Sequence, residues 1–267
     1  MIKFNQLRKV FDDGTVALDG VTIKVEQGEF VVVLGPSGSG KTTLLRSVNG
    51  LVSPTSGNVR VNDVEVCEQS LRMVRRKVGM IFQQFNLVGN LSVINNVLTG
   101  SFSTYNKWYS NLYIFSKELR IRALAVLDRV GLLDKAYQRT DELSGGQQQR
   151  VGIARALMQQ PDVLLADEPI ASLDPMIAYN ILSLLREISA EDKITVLCSL
   201  HQVDFAMHFA QRIVGLSEGK VVMDEPQKDL TAEYIRKIYK THDKGLFFGP
   251  ESKPYSDDQL VTWSEYK

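Results

Sequence analysis

The chain has 267 residues, 44% hydrophobic and 23% charged, enough apolar material for a substantial core. Its 31 lysines and arginines balance 31 aspartates and glutamates, so net charge supplies no case for a nucleic-acid partner. No run approaches the roughly 20 apolar residues of a membrane-spanning helix, and the opening MIKFNQLRKVF lacks a signal-peptide core. Cys67 and Cys198, far apart and without metal-ligand spacing, read as buried reduced thiols of a cytoplasmic protein. One large α/β domain, or one with an inserted subdomain, is expected.

From Ile2 to Val25 the residues alternate loosely, most clearly at Val21, Ile23 and Val25, with glycines at 14, 20 and 28. That pattern predicts antiparallel strands. Phe11 on this stretch suits either stacking on a purine or a place in a core or strand edge. Phe30 to Leu34 is apolar, short and rich in β-branched residues, which predicts a buried strand. It runs into Gly35, Pro36, Ser37, Gly38, Ser39, Gly40, Lys41 and Thr42, which fit G-x-x-x-x-G-K-[ST], with Thr43 following. The glycines let backbone N–H groups turn inward around a phosphate, and a helix over Lys41–Asn49 aims its positive end at the anion. Lys41 reaches the β- and γ-phosphates in this reading, and Thr42 coordinates Mg²⁺.

After a Gly/Ser/Pro loop, Val59, Val61, Val64 and Val66 alternate again, and Arg72 to Lys77 forms a basic, solvated helix face. Val78 to Phe82 predicts a strand ending at Gln83 and Gln84, where a side chain can approach the γ-phosphate and metal. Between Ser92 and Met158 the pattern is helical, with Leu119, Ala123, Val126, Leu127 and Val130 on one face of an inserted unit. Its aromatic stretch from Tyr105 to Phe115, with Trp108, Tyr109 and Tyr113, suits a satellite core or a partner surface. Ser144 is an N-cap for a helix to about Met158, and Gly145 and Gly146 let an anion approach its N-terminus.

Val163 to Ala166 is a further buried strand, delivering Asp167 and Glu168 where open α/β sheets put their chemistry. Adjacent carboxylates there suit metal binding and water activation better than capping the turn at Pro169. Ser172, Leu173 and Asp174 lead into a helix begun by Pro175. Ile194 to Cys198 predicts a strand ending near His201, which taken alone is as readily structural as catalytic. A hairpin turns at Ser217, Glu218 and Gly219, a helix covers Thr231 to Tyr239, and the residues after Gly249 form a polar, loosely packed tail.

Together GPSGSGKT and LSGGQ resemble the ATP-binding-cassette (ABC) ATPases, and the resemblance extends from Met1 to about Tyr239. It implies an α/β fold: an ABC-type P-loop NTPase with a RecA-like core, an N-terminal antiparallel β-subdomain and an inserted α-helical subdomain. Residues 1–245 would form the ATP-binding domain, with 1–85 and 156–245 as core and β-subdomain, 86–155 as the helical signature unit, and 246–267 as a tail. It maps Phe11 onto the adenine-stacking aromatic, Gly35 to Thr43 onto the phosphate loop and its helix, and Gln83 onto the Q-loop near metal and γ-phosphate. Ser144, Gly145, Gly146 and Gln147 match the signature, Asp167 the Mg²⁺ carboxylate, Glu168 the general base, Asp174 the D-loop and His201 the γ-phosphate switch. ATP and Mg²⁺ are the implied cofactors.

The resemblance further implies two cassettes, most simply a homodimer, joined head to tail so that the signature of one meets the ATP on the other. Integral membrane permease subunits and an extracytoplasmic solute-binding protein acting through them are the other implied partners, with no nucleic acid. The chain would be peripheral, at the cytoplasmic face of the inner membrane. Within the family, FQQFNLVGNLSVINNVLTG, LADEPIASLDP and SLHQVDFA are similar to the phosphonate-import ATPases. Phosphite, phosphate or polar amino acids are alternative cargoes. A soluble cassette protein acting on nucleic acid and a regulatory module without turnover are the competing classes.

Overall fold

A computed structural model describes residues 1–103 and 115–239. The stretch 105–113 and the tail after Gly249 lie outside the described residues. Two sheets organise the chain. The smaller is antiparallel and has four strands in the order β2-β1-β4-β5, with β1 Ile2–Val10, β2 Val16–Val25, β4 Ser56–Val61 and β5 Val64–Glu65. The larger has six, in the order β10-β9-β3-β8-β7-β6. These are β3 Phe30–Leu34, β6 Val78–Ile81, β7 Val163–Asp167, β8 Thr195–Leu200, β9 Arg212–Ser217 and β10 Lys220–Pro226. All neighbours in it are parallel except the β9/β10 hairpin.

Parallel strands must be covered on both faces, so they read as unbroken apolar runs. In β3 every residue is buried, and alternation splits the run between two cores. Phe30, Val32 and Leu34 face a core shared with the helices, whereas Val31 and Val33 face one shared with the antiparallel sheet and helix α1, Lys41–Val48.

Helix α2, Leu71–Lys77, carries the expected basic face, with only Val74 buried. The inserted unit holds α3 (Val93–Leu98), α4 (Lys117–Arg129) and α5 (Gly145–Met158). Leu119, Ala123, Leu127 and Val130 are buried as their spacing predicts, and Val126 packs beside them. Helix α6, Pro175–Asp192, starts with proline at its first turn, and the Asp174 carboxylate accepts the Ile177 N–H at 3.0 Å. Helices α7, Val203–Phe209, and α8, Ala232–Tyr239, complete the described chain.

Several expected boundaries shift. The strand expected to end at Phe82 stops at Ile81, and the one expected over Ile194–Cys198 runs from Thr195 to Leu200. Asp167 is itself the last residue of β7 and keeps its pairing with Ser199 on β8. The cysteine reading is half right: Cys198 is buried on β8, but Cys67 is exposed, because it sits in the turn before α2 rather than on a core strand.

Helix α8 packs on β9 and β10 and buries Ile235 and Ile238. A Cβ on Gly215 of β9 would lie 2.6 Å from Ile238 Cγ1 and 3.2 Å from Met223 Cβ. Gly215→Ala is therefore expected to cost about 1–3 kcal/mol through overpacking. Chemical denaturation should show the loss, and hydrogen exchange should show it concentrated in residues 232–239.

Candidate functional site

The carboxyl ends of β3, β7 and β8 lie side by side, and the predicted chemical residues emerge there. From β3 the chain turns through Gly35–Gly40 into α1. The first intrahelical bond of α1 runs from the Leu44 N–H to the Gly40 carbonyl at 2.9 Å. The N–H groups of Lys41, Thr42 and Thr43 thus have no helical partner and face the mouth of the loop, a favourable place for an anion. Gly40 has φ 104°, and a Cβ there would lie 2.3 Å from the Ala17 carbonyl on β2. Only glycine satisfies both constraints. Pro36 accepts from the Ser39 N–H at 3.2 Å, while Ser37 and Gly38 are exposed. The Gly219 N–H, in the hairpin turn, donates to the Ser39 carbonyl at 3.0 Å and braces the loop. The Ser39 hydroxyl is buried without a hydrogen-bond partner among the described residues.

Lys41 is 3% exposed. Its Nζ donates to the carbonyls of Gly35 at 2.8 Å and Pro36 at 2.9 Å, stands 3.2 Å from His201 Nδ1, and lies 4.0 Å from Glu168 Oε1. Burial lowers its pKa to about 8, and the nearby Glu168 and Asp167 charges only partly oppose the shift.

Asp167 and Glu168 diverge at the end of β7. Thr42 Oγ1 donates to Asp167 Oδ1 at 2.9 Å, Ser199 Oγ donates to the same oxygen at 3.1 Å, and Arg46 Nε is 3.8 Å from Oδ2. Glu168 adopts φ 48°. Its N–H donates to Ser199 Oγ at 2.9 Å, and its Oε1 is hydrogen-bonded to His201 Nε2. His201 follows β8, its Nδ1 lies 3.1 Å from the Gly35 carbonyl, and its own carbonyl accepts from the Tyr239 hydroxyl at 2.6 Å. Burial pushes the Tyr239 pKa up to about 12.

Thr42 and Asp167 present hard oxygens 2.9 Å apart, a donor set that suits Mg²⁺. Among the described residues no group of three His, Cys, Asp or Glu could hold a metal by itself. Mg²⁺ commonly uses one or two protein oxygens and completes its shell with phosphates and water, so the residues present fit that ion.

The other predicted residues share no hydrogen bond with this cluster among the described residues. Gln83 is exposed just beyond β6 and makes no hydrogen bond among the described residues. Phe11 is 40% exposed at the turn after β1, with Lys9 Nζ 5.3 Å from its ring centroid. Ser144 caps α5 in a reciprocal box: its Oγ accepts from the Gln147 N–H at 3.4 Å, and Gln147 Oε1 accepts from the Ser144 N–H at 3.0 Å. The N–H groups of Gly145 and Gly146 stay outside that box. No hydrogen bond joins Ser144–Gln147 to Gly35–Thr43 among the described residues. Asp174 caps α6, as described above.

Four participants were not foreseen: Ser199, Arg46, Tyr239 and Arg155. Arg155 on α5 donates to the Phe85 carbonyl at 3.0 Å and is also bonded to Asn86, tying the segment after Gln83 to the signature helix. Ser199 had one available signal, a hydroxyl inside the apolar run TVLCSL. Its partner becomes legible only through the β7/β8 register.

The fold and this cluster define a phosphate-loop NTPase. The ABC transporter family profile matches residues 18–171, and the chain belongs to that family. It is 52% identical over 239 residues to the phosphonates import ATP-binding protein PhnC of Thiobacillus denitrificans, covering 90% of this chain and 92% of that one. It is 46% identical to PhnC 2 of Trichodesmium erythraeum, covering 91% and 94%. Among solved structures, the ATP-binding cassette MJ0796, as a post-hydrolysis dimer bound to ADP and Pi, superposes with TM-score 0.75 at 35% identity. The match covers 86% of this chain and all of that one. CbiO1 from Clostridium perfringens, part of the ABC transporter complex cbiONQ, gives TM-score 0.77 at 31% identity, covering 89% and 93%.

The lowered Lys41 pKa has a thermodynamic consequence. Below about pH 8 folded and unfolded states both hold the proton, and the folded state bears the full cost of burying it. Between about 8 and the ordinary 10.5 the unfolded state binds more protons, so this residue's contribution makes stability rise with pH. Lys41→Met should lose that rise. Denaturation curves of parent and variant across this interval check it.

Proposed function

We propose that the chain is the ATP-hydrolysing subunit of an ABC importer for phosphonates, working as a pair of cassettes beneath membrane permease subunits. The observation that carries the ATPase reading is the joining of Lys41, Asp167, Glu168 and His201 at the carboxyl ends of adjacent parallel strands, with His201 bonded to Glu168 and Thr42 bonded to Asp167. The phosphonate cargo rests on the relatives, whose names specify phosphonate import. No helix among the described residues is long and apolar enough to cross a membrane, so attachment through separate permease subunits suits this chain.

In this reading the free N–H groups at the start of α1 and the Lys41 ammonium hold the ATP phosphates. Thr42 and Asp167, with Gln83, would hold Mg²⁺, which would supply charge neutralisation for the phosphates. Glu168 accepts the proton of the attacking water, and His201 orients its carboxylate from one side while presenting the other ring nitrogen toward the phosphate loop. Phe11, exposed and near the end of β1, stacks on adenine.

The signature residues of this chain serve the partner's nucleotide. Ser144 keeps its hydroxyl proton for a phosphate because capping uses only a lone pair, and Gly145 and Gly146 offer unpaired N–H groups. The lack of any hydrogen bond between this helix end and the chain's own phosphate loop supports that division, as does the dimeric form of MJ0796. Asp174, at the start of α6, belongs to the same interface. ATP then bridges two incomplete halves, and hydrolysis removes the bridge. A solute-binding protein outside the membrane selects the cargo.

Glu168→Gln keeps the size of the side chain and removes the base. Turnover should fall by about 10²–10⁴ while ATP still binds. Size-exclusion chromatography with light scattering should show an ATP-dependent dimer accumulating. Parent-like turnover in the variant would show that Glu168 is not the base.

A further inference from the structure

We propose that Ser199 is a positioning residue for hydrolysis: its single hydroxyl sets Asp167 and Glu168 relative to each other, so that metal ligand and base are placed together. The inference rests on the reading of those two residues given above and adds what holds them.

Ser199 is fully buried on β8, directly opposite Asp167 in the parallel register. A serine hydroxyl has one proton and two acceptor lone pairs. Here the proton goes to Asp167 Oδ1 at 3.1 Å, and a lone pair receives the Glu168 N–H at 2.9 Å. One oxygen therefore ties the side chain of one residue to the backbone of the next. Nothing about the strand requires a hydroxyl: Leu197, Cys198 and Leu200 beside it are buried, and an aliphatic residue suits a doubly covered parallel strand.

The backbone of Glu168 shows why the bond matters. Its φ of 48° lies in the left-handed region, which a residue with a Cβ occupies only when its surroundings hold it there. Ser199 is the acceptor for its N–H, and the Glu168 carboxylate is held at its far end by His201. The base is thus fixed at both ends, by one residue of β8 and by another just after it. Asp167 Oδ1 receives Thr42 as well as Ser199. Of the groups against the Asp167 carboxylate, Thr42, Arg46 and Ser199, only Ser199 lies on the neighbouring strand and also holds the Glu168 backbone.

The test compares Ser199→Ala and Ser199→Thr in the full chain, with and without Glu168→Gln. Ser199→Ala should lower kcat by roughly tenfold with little change in KM for ATP, and Ser199→Thr should recover most of the loss. On the Glu168→Gln background Ser199→Ala should remove little further turnover, because the two act through one another. ATP affinity measured by equilibrium binding without Mg²⁺ should match the parent, which also reports a folded site, whereas the affinity gained on adding Mg²⁺ should shrink. Parent-like kcat and an unchanged Mg²⁺ response in Ser199→Ala would overturn the proposal. Equal losses in both backgrounds with an unchanged Mg²⁺ response would also overturn it, leaving Ser199 a structural residue. The Mg²⁺ response reads Ser199 through Asp167 alone, so it decides the proposal even if Glu168→Gln still turns over, a result that would remove only the assignment of the base.

Discussion

A nearly buried ammonium at the carboxyl ends of the parallel strands is the constraint on which the arrangement depends. Lys41 has lost most of its hydration and is compensated by two carbonyls of its own loop, an imidazole nitrogen and a carboxylate at longer range. Carbonyl oxygens stabilise a cation less well than a paired carboxylate, which is why burial dominates its pKa. A polyanion with several phosphate oxygens is the partner that this charge and the free N–H groups of α1 jointly suit. The loop that holds them is braced from outside by the β9/β10 turn and by the close approach of β2, so the small sheet contributes to the geometry of the phosphate cradle.

Around that charge the large sheet acts as a ruler. Strands β3, β8 and β7 are adjacent and parallel, so residues separated by more than a hundred positions emerge at the same level. Each strand end delivers a different group: the Gly35–Gly40 loop, the imidazole of His201, and the two carboxylates. The helical unit is coupled to this frame by Arg155, which grips the segment after Gln83, and by Arg129 on α4, bonded to Glu191 and Asp192 at the end of α6. Arg129 lies on the surface, where such pairs contribute little. Arg155 is half-buried and donates to two backbone carbonyls, so it is the firmer of the two links. The segment after Gln83 is thereby tied to α5.

Much of this was legible in the sequence because the relevant signals are local. The G-x-x-x-x-G-K-[ST] spacing, the apolar run before Asp167, the Ser144 cap and Pro175 at a helix start each depend on a few consecutive residues, and each appears in the structure where it was expected. The gaps fall on interactions across the fold. Ser199 and Tyr239 carry no motif, since their partners are set by strand order and by the docking of α8. Cys67 was misjudged because isolation and the lack of metal-ligand spacing say nothing of burial: β5 ends at Glu65 and the thiol stays in a solvent-facing turn. Phe11 and Gln83 are assigned roles by the family resemblance alone; in the structure one is exposed at the turn after β1 and the other just beyond β6.

The central claim is that this site hydrolyses ATP to drive phosphonate import, and transport-coupled turnover tests it most directly. The chain would be reconstituted in lipid nanodiscs with the permease and binding proteins encoded beside it, and ATP hydrolysis followed while methylphosphonate, aminoethylphosphonate, phosphate and amino acids are titrated in turn. The account predicts that turnover rises with the phosphonates in the presence of the binding protein and not with phosphate or amino acids. Turnover indifferent to every phosphonate, or a chain that never associates with the permease, would contradict it.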